Sequence, residues 1–324
     1  MEASSGQRAL CRLGIVVPCF NEEEVLRETA CRLIALLTIM IKENRISPSS
    51  HIIFVDDGST DNTWALIEEL ANSNPSIGGI KLSRNRGHQN ALLAGLFTTE
   101  GDALISVDAD LQDDLSVIPE MLEHYYRGAE IVYGVRKDRS SDSWFKRITA
   151  HGFYRFMAAL GAESINNHAD FRFMSRRAIE ALKEYREVNL FLRGIIPLIG
   201  FKSSIVHYDR TERFAGTSKY PLRKMLGLAL NAVTSFSTVP LRLITFTGFL
   251  VFILSTIMAI WTIWIKVFTS QAVPGWASTM LPIYILGGIQ ILCVGVIGEY
   301  LGKVYQEIKA RPRYIIEKVV DPGA

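Results

Sequence analysis

Short apolar runs alternate along the first 135 residues with stretches whose apolar positions recur at helical spacing. The runs 13–17, 52–55, 80–82, 103–107 and 131–135 predict strands. Between them, residues 22–40, 63–70, 89–97 and 115–126 predict helices. Asn21, followed by Glu22, Glu23 and Glu24, is expected to cap the first helix, with Glu24 at the capping-box position. This alternation predicts an α/β fold around a doubly wound, mostly parallel sheet. Beyond Val135 the rhythm fails: residues 136–220 mix basic, aromatic and Gly-containing segments, and a ligand site is expected there.

The pattern changes again after residue 220. Residues 221–240 read as an amphipathic helix, with Leu222, Met225, Leu226, Ala229, Leu230, Val233 and Phe236 on one side and Pro240 at the end. Its expected place is the membrane interface, with a soluble core as the alternative. Residues 243–265 carry no charge and are long enough to span a bilayer core of about 30 Å. A second span is expected over 280–300, and the turn at Pro274 and Gly275 joins the two as a helical hairpin. Two buried helices of a soluble protein are the alternative. Arg223, Lys224 and Arg242 precede the hairpin and Lys303, Lys309, Arg311, Arg313 and Lys318 follow it, while only Lys266 lies near its connecting loop. The positive-inside rule then leaves both termini in the cytoplasm and the protein multi-pass in the inner membrane. Residues 1–7 are polar and 11–20 read as a strand and turn, so no signal peptide is expected. The expected organisation is a cytosolic catalytic domain over 1–220, an interfacial helix over 221–240, a hairpin within 241–302 and a basic cytosolic tail over 303–324.

Composition narrows the classes. A chain of 324 residues with 48% hydrophobic residues accommodates one α/β domain plus a membrane part. A net charge of +2, without a basic tract interleaved with aromatics, argues against nucleic acid as a partner. The four cysteines, Cys11, Cys19, Cys31 and Cys293, show no metal-ligand spacing and are expected to be reduced and structural.

Candidate chemistry gathers at the strand ends. The fourth strand closes in Asp108-Ala109-Asp110-Leu111-Gln112, the first in Pro18-Cys19-Phe20-Asn21-Glu22, and the second in Val55-Asp56-Asp57-Gly58-Ser59-Thr60-Asp61. In a parallel sheet these three ends share the edge where open α/β folds bind ligands. Asp108, Asp110 and Gln112 supply hard oxygen donors suited to Mg²⁺ or Mn²⁺ held jointly with a diphosphate. Taken singly each motif has a plainer reading. An Asp-x-Asp also serves as a solvated cap, Asp56 and Asp57 as a turn before a helix, and Pro18 as a strand terminator. Asp113 and Asp114 are expected to start the next helix, where negative charge suits the dipole.

Together with Gly134-Val135-Arg136 and Arg213-Phe214-Ala215-Gly216-Thr217-Ser218-Lys219, these motifs occur in an order and spacing that resembles the GT-A glycosyltransferases of family 2. The resemblance extends into the hairpin and is closest to the polyisoprenyl-phosphate type, the dolichol-phosphate mannose synthases and bactoprenol glucosyltransferases. It implies that Pro18, Phe20, Glu22, Val55 and Asp57 line a nucleotide pocket, with Asp57 accepting from the base. Asp108 and Ala109 would join the donor-binding residues, and Asp110 and Gln112 would hold the metal, with Asp108 close to both metal and sugar. Arg136 and Arg147 match positions that hold the lipid phosphate, Arg213 one that holds the donor diphosphate, and Lys219 is a further cation there. Any single arginine of these also reads as a surface charge.

Asp170 falls where family 2 enzymes acting on hydroxyls carry a general base. A phosphate acceptor, with a second pKa near 6, needs little proton abstraction, so a base and a positioning role both stand. Arg172 is the reserve candidate for the acceptor. His168 reads as a site or a structural residue, and His51, His88, His124, His151 and His207 as structural. The resemblance implies a metal-dependent, inverting transfer of a hexose, first glucose from UDP-glucose, to undecaprenyl phosphate, and a homo-oligomer such as a tetramer. Mannose, N-acetylhexosamine or a modified aminoarabinose are the alternative sugars. A processive synthase lacks support, since there is no QxxRW motif and only two spans. A non-catalytic scaffold would be expected to have lost Asp108, Asp110 or the arginines.

Overall fold

The computed structural model describes residues 9–136, 168–187, 192–209 and 276–323, with isolated positions between 244 and 257. Arg147, Arg213, Lys219 and the expected interfacial helix 221–240 lie outside the described residues, as does most of the first expected span.

Among the described residues eight strands form one sheet in the order β7-β5-β6-β4-β1-β2-β3-β8. They are β1 (Leu13–Cys19), β2 (His51–Asp56), β3 (Ile77–Leu82), β4 (Ala103–Ser106), β5 (Ile131–Arg136), β6 (His168–Ser175), β7 (Ser203–Tyr208) and β8 (Ile316–Val320). The helices are α1 (Leu26–Lys42), α2 (Thr63–Ser73), α3 (His88–Thr98), α4 (Ile118–Tyr126), α5 (Arg176–Lys183), α6 (Leu192–Leu198) and α7 (Trp276–Ile308). All residues of β1 and β2 are buried, as expected of parallel strands covered on both faces. Helix α3 buries Ala91 through Leu96 and comes so close to the sheet that a Cβ on Gly95 would lie 2.2 Å from Val16 Cγ1. A side chain there would push the helix off β1.

Three features depart from the sequence expectation. First, α1 starts at Leu26 without a side-chain cap. Asn21 takes a left-handed φ of 53°, and its Oδ1 accepts from the Thr60 N–H at 2.8 Å. Glu22 N–H donates to Thr63 Oγ1 at 2.9 Å, and Glu23 accepts from Asn62 N–H at 3.0 Å. These polar groups tie the β1–α1 loop to the β2–α2 loop, and this competing use displaces the helix start.

Second, the irregular stretch after Val135 contributes β6, which runs antiparallel between β4 and β5, so the sheet is mixed. Ser106 pairs with Arg172, and continuing that antiparallel register by two residues brings Asp108 opposite Asp170. Strand β7 adds in parallel to β5 and sets Tyr208 beside Arg136.

Third, residues 316–320 are not a tail: β8 pairs antiparallel with β3 and covers that edge. Lys81–Glu317 at 3.0 Å and Lys318–Glu68 at 2.5 Å accompany it, and Arg313 donates to the Tyr185 carbonyl. Residues 312–324 accordingly belong to the compact unit of the sheet, and α7 to a second unit. Helix α7 runs for 33 residues around Pro282, and its side chains are described only in part. Among the described residues no helix is long and apolar enough to cross a membrane. Cys11 and Cys19 are buried and Cys31 is exposed, so the structural reading of the cysteines does not hold for Cys31.

Candidate active site

On the β2 side, Pro18 pairs with Val55 in the β1–β2 ladder and the chain then opens into two facing loops. Gly58 takes a φ of +67°, and a Cβ there would lie 2.6 Å from the Arg84 carbonyl carbon, so only glycine lets the β2 loop meet the loop before α3. Asp57 joins them: its oxygens accept from the Arg86 N–H at 2.7 Å and the Gly87 N–H at 2.8 Å. Burial raises its carboxyl, and the two backbone donors work in the opposite direction. Asp57 is therefore a brace for the pocket wall, with only its remaining lone pairs for a base. The neighbouring Asp56 is fully buried, accepts from Ser59 N–H at 3.1 Å, and has an Oδ2 without a hydrogen-bond partner among the described residues. Phe20 and Glu22 are half-buried at this edge, whereas Val55 is wholly in the core and paired on both sides in the sheet.

The centre of the edge is Asp108. Its carboxyl is pushed up to about 6 by burial, which His88 opposes and Asp113, Asp170 and Asp110 reinforce. Leu111 adopts a left-handed φ of 56°, rare for a branched side chain, and so curls the motif until Asp110 Oδ1 accepts from Gln112 N–H at 3.3 Å. Ala109 is buried, and its carbonyl accepts from Thr29 Oγ1 at 2.9 Å, anchoring the motif to α1. Excess negative charge around hard oxygen donors fits a divalent cation. Among the described residues no three His, Cys, Asp or Glu side chains make a complete metal site. Two carboxylates and an amide form a partial set, which suits an ion whose other ligands come from a diphosphate.

Beyond Asp108 lies Asp170, which the sequence offered as base or positioning residue. Arg172 Nη2 approaches one of its oxygens at 2.7 Å and Arg193 Nη2 the other at 3.2 Å. Burial opposes ionisation, yet Arg172 and then Arg193 outweigh it and hold the carboxyl well below the usual carboxylate range. A carboxylate gripped on both oxygens is a poor proton acceptor and a good anchor for guanidinium groups. Arg172 is only 1% exposed, so the reserve candidate for the acceptor is a buried partner of Asp170 instead. His168 lies in β6 opposite Val135.

Arg136 stands at the far end of the edge, with 30% of its side chain exposed. It is oriented from below: Nε donates to Tyr208 Oη at 3.2 Å, Tyr208 Oη donates to Asp113 Oδ1, and Asp113 faces Arg136 Nη2 at 3.5 Å. Asp113 thus departs from the expected helix start. Its carboxyl is buried, and Asp114 alone caps the following turn, accepting from Ser116 N–H at 2.9 Å.

Sequence reasoning missed His88, Asp113, Arg193 and Tyr208. His88 Nε2 lies 3.5 Å from Asp108 and 3.8 Å from Asp170. Its position just after β3 was the available signal, since loops after parallel strands open onto this edge. Arg193 and Tyr208 sit on elements without a legible period, and nothing local marks them.

Residues 14–183 match the model of Glycosyl transferase family 2, and residues 239–304 that of the GtrB C-terminal hairpin. The uncharacterized glycosyltransferase YkoT of Bacillus subtilis is 52% identical, with 94% of this chain and 91% of that protein covered. The prophage bactoprenol glucosyl transferase homolog of Escherichia coli is 42% identical over 95% of this chain and 99% of that protein. The bactoprenol glucosyl transferase of Shigella phage SfX is 41% identical over 94% and 99%. With both models matched in succession and relatives of this similarity aligned over nearly the whole chain, the protein belongs to glycosyl transferase family 2 and is a glycosyltransferase.

Proposed function

We propose that the protein transfers glucose from UDP-glucose to the phosphate of undecaprenyl phosphate, with inversion, releasing UDP. The carrying observation is the sequence of charges along one sheet edge. A pocket braced by Asp57 is followed by the carboxylates Asp108 and Asp110, and then by the arginines beside Asp170 and Asp113. Negative groups in the middle suit a cation shared with the donor, and positive groups beyond suit an anionic acceptor. The relatives described as bactoprenol glucosyl transferases support a bactoprenol acceptor and a glucosyl group.

In this reading Pro18, Phe20, Glu22 and Val55 flank the nucleotide, and Asp108 and Ala109 the sugar. Arg213 and Lys219 neutralise the donor diphosphate. Arg136 and Arg147 hold the acceptor phosphate, whose oxygen attacks the anomeric carbon while the bond to UDP breaks. Mg²⁺ or Mn²⁺ at Asp108, Asp110 and Gln112 would supply charge stabilisation for the departing diphosphate. The acceptor is already an anion at neutral pH, so Asp170 abstracts no proton and acts through its arginines. Purified protein is expected to release UDP from UDP-glucose on addition of undecaprenyl phosphate, and to do so far more slowly with the neutral alcohol. Equal release with and without the phosphate would sink the reading, and competition with UDP-GlcNAc and GDP-mannose tests the sugar.

The membrane part of the proposal is a hairpin near 243–265 and 280–300, in a homo-oligomer such as a tetramer. The return of the chain to the sheet at β8 supports an even number of crossings, since residues before and after the hairpin share one compact unit. Exposed apolar side chains on α7, including Val294 at 68% and Leu301 at 66%, suit lipid or another helix better than water. A cysteine introduced at Ser270 is expected to react with an impermeant reagent from outside intact cells, and one at Asp321 only after lysis. The reverse pattern contradicts this topology.

A further inference from the structure

We propose that Arg193 contacts the acceptor phosphate directly, and that Asp170, backed by the buried Arg172, is the positioning residue that aims it. The inference rests on the acceptor being a phosphate. It follows from how differently the two arginines on one carboxylate are placed. Arg172 is 1% exposed and lies 2.7 Å from Asp170, whereas the Arg193 side chain is 41% exposed and reaches the other carboxylate oxygen from the open side.

Its geometry is that of an oriented fork. Nε approaches Asp170 Oδ1 at 3.4 Å and Nη2 approaches Oδ2 at 3.2 Å, so one edge of the planar guanidinium is fixed against the carboxylate. Because the group is rigid, its Nη1 side is directed away from Asp170. A second tie fixes the backbone: Leu192 N–H, at the start of α6, donates to Gln89 Oε1 at 3.1 Å. Gln89 follows His88, the residue whose ring lies between Asp108 and Asp170. The fork is therefore held at the Asp108 centre, and on its β6 side, away from the nucleotide loops after β2.

The role separates from that of a donor clamp. Arg193→Ala in the full-length protein should raise the KM for undecaprenyl phosphate roughly tenfold to a hundredfold, as for loss of one charge-assisted contact. The KM and direct binding of UDP-glucose should stay within about twofold of wild type, a range too small to represent a lost contact of that kind. Arg193→Lys retains the charge without the fork and should recover only part of the acceptor affinity. Asp170→Asn should raise the same KM, and the double variant with Arg193→Ala should be little worse than either single one, because both remove one unit.

An unchanged acceptor KM in Arg193→Ala, or an equal loss of UDP-glucose binding, overturns the proposal. If the alanine variant does not fold, Arg193→Lys decides, and a wild-type acceptor KM there overturns it as well. Failure of the parent reading looks different, since wild-type protein would then release no more UDP with undecaprenyl phosphate than without it.

Discussion

Asp110→Asn is expected to lower glucosyl transfer at least about a hundredfold, in line with the loss of one well-placed electrostatic contact at a transition state. The substitution is nearly isosteric, and the amide oxygen can still accept from the Gln112 N–H that Asp110 now holds at 3.3 Å. Local structure around the left-handed Leu111 should therefore survive, and the apparent unfolding temperature should change little. What disappears is one negative charge beside Asp108, whose own carboxyl is already pushed up to about 6 by burial and by the surrounding carboxylates. Removing charge from that cluster relieves its repulsion, so a loss of turnover that added cation partly restores is the mark of a weaker hold on a metal. Turnover assayed with added Mn²⁺ or Mg²⁺, and with EDTA, separates the cases. Full activity of the wild type in EDTA, or near-normal turnover of Asp110→Asn, would remove the metal from the mechanism.

The strand ends where we propose that nucleotide and metal bind were legible in the sequence because they close regular strands. A strand such as β4 announces itself by an apolar run, and its polar residues at the C-terminal end can then be assigned to one edge. The half proposed for the acceptor was not legible for a physical reason. Strand β6 carries Asp170 and the buried Arg172, two charges that pair with each other where an apolar run would be expected, so its pattern does not read as a buried strand. Helix α6, which brings Arg193, is seven residues long and contains Pro197. Asp113 looked like a solvated helix start because the tyrosine that buries it, Tyr208, lies far along the chain on β7. The closing strand β8 was hidden in the same way: its partner is an edge strand more than two hundred residues earlier, and its charged positions face outward.

The same buried pair makes Arg172→Leu the substitution with the largest expected cost in stability. Arg172 is 1% exposed and donates to Asp170 at 2.7 Å. Leucine fills much of the volume but leaves Asp170 facing the half-exposed Arg193 and the more distant His88, and breaking a buried pair from one side costs about 3–5 kcal/mol. For a domain of this size that is a fall in apparent unfolding temperature on the order of 10 °C. Linkage gives a second signature with a definite sign. The Asp170 carboxyl is held below its ordinary range, Arg172 being the larger of the two arginine contributions that overcome burial. A depressed carboxyl stabilises the fold above its unfolded pKa of about 3.9 and loses that contribution as the pH falls through the folded value. The gap between wild type and Arg172→Leu should therefore be full at neutral pH and narrow progressively once the pH drops below about 4. Adding Asp170→Asn to Arg172→Leu should recover part of the loss, because the second change removes the stranded charge. Denaturation of wild type, Arg172→Leu and the double variant at several pH values measures both effects. A cost for Arg172→Leu that is independent of pH, with no recovery in the double variant, would mean that Arg172 contributes packing alone and that Asp170 is oriented by other groups.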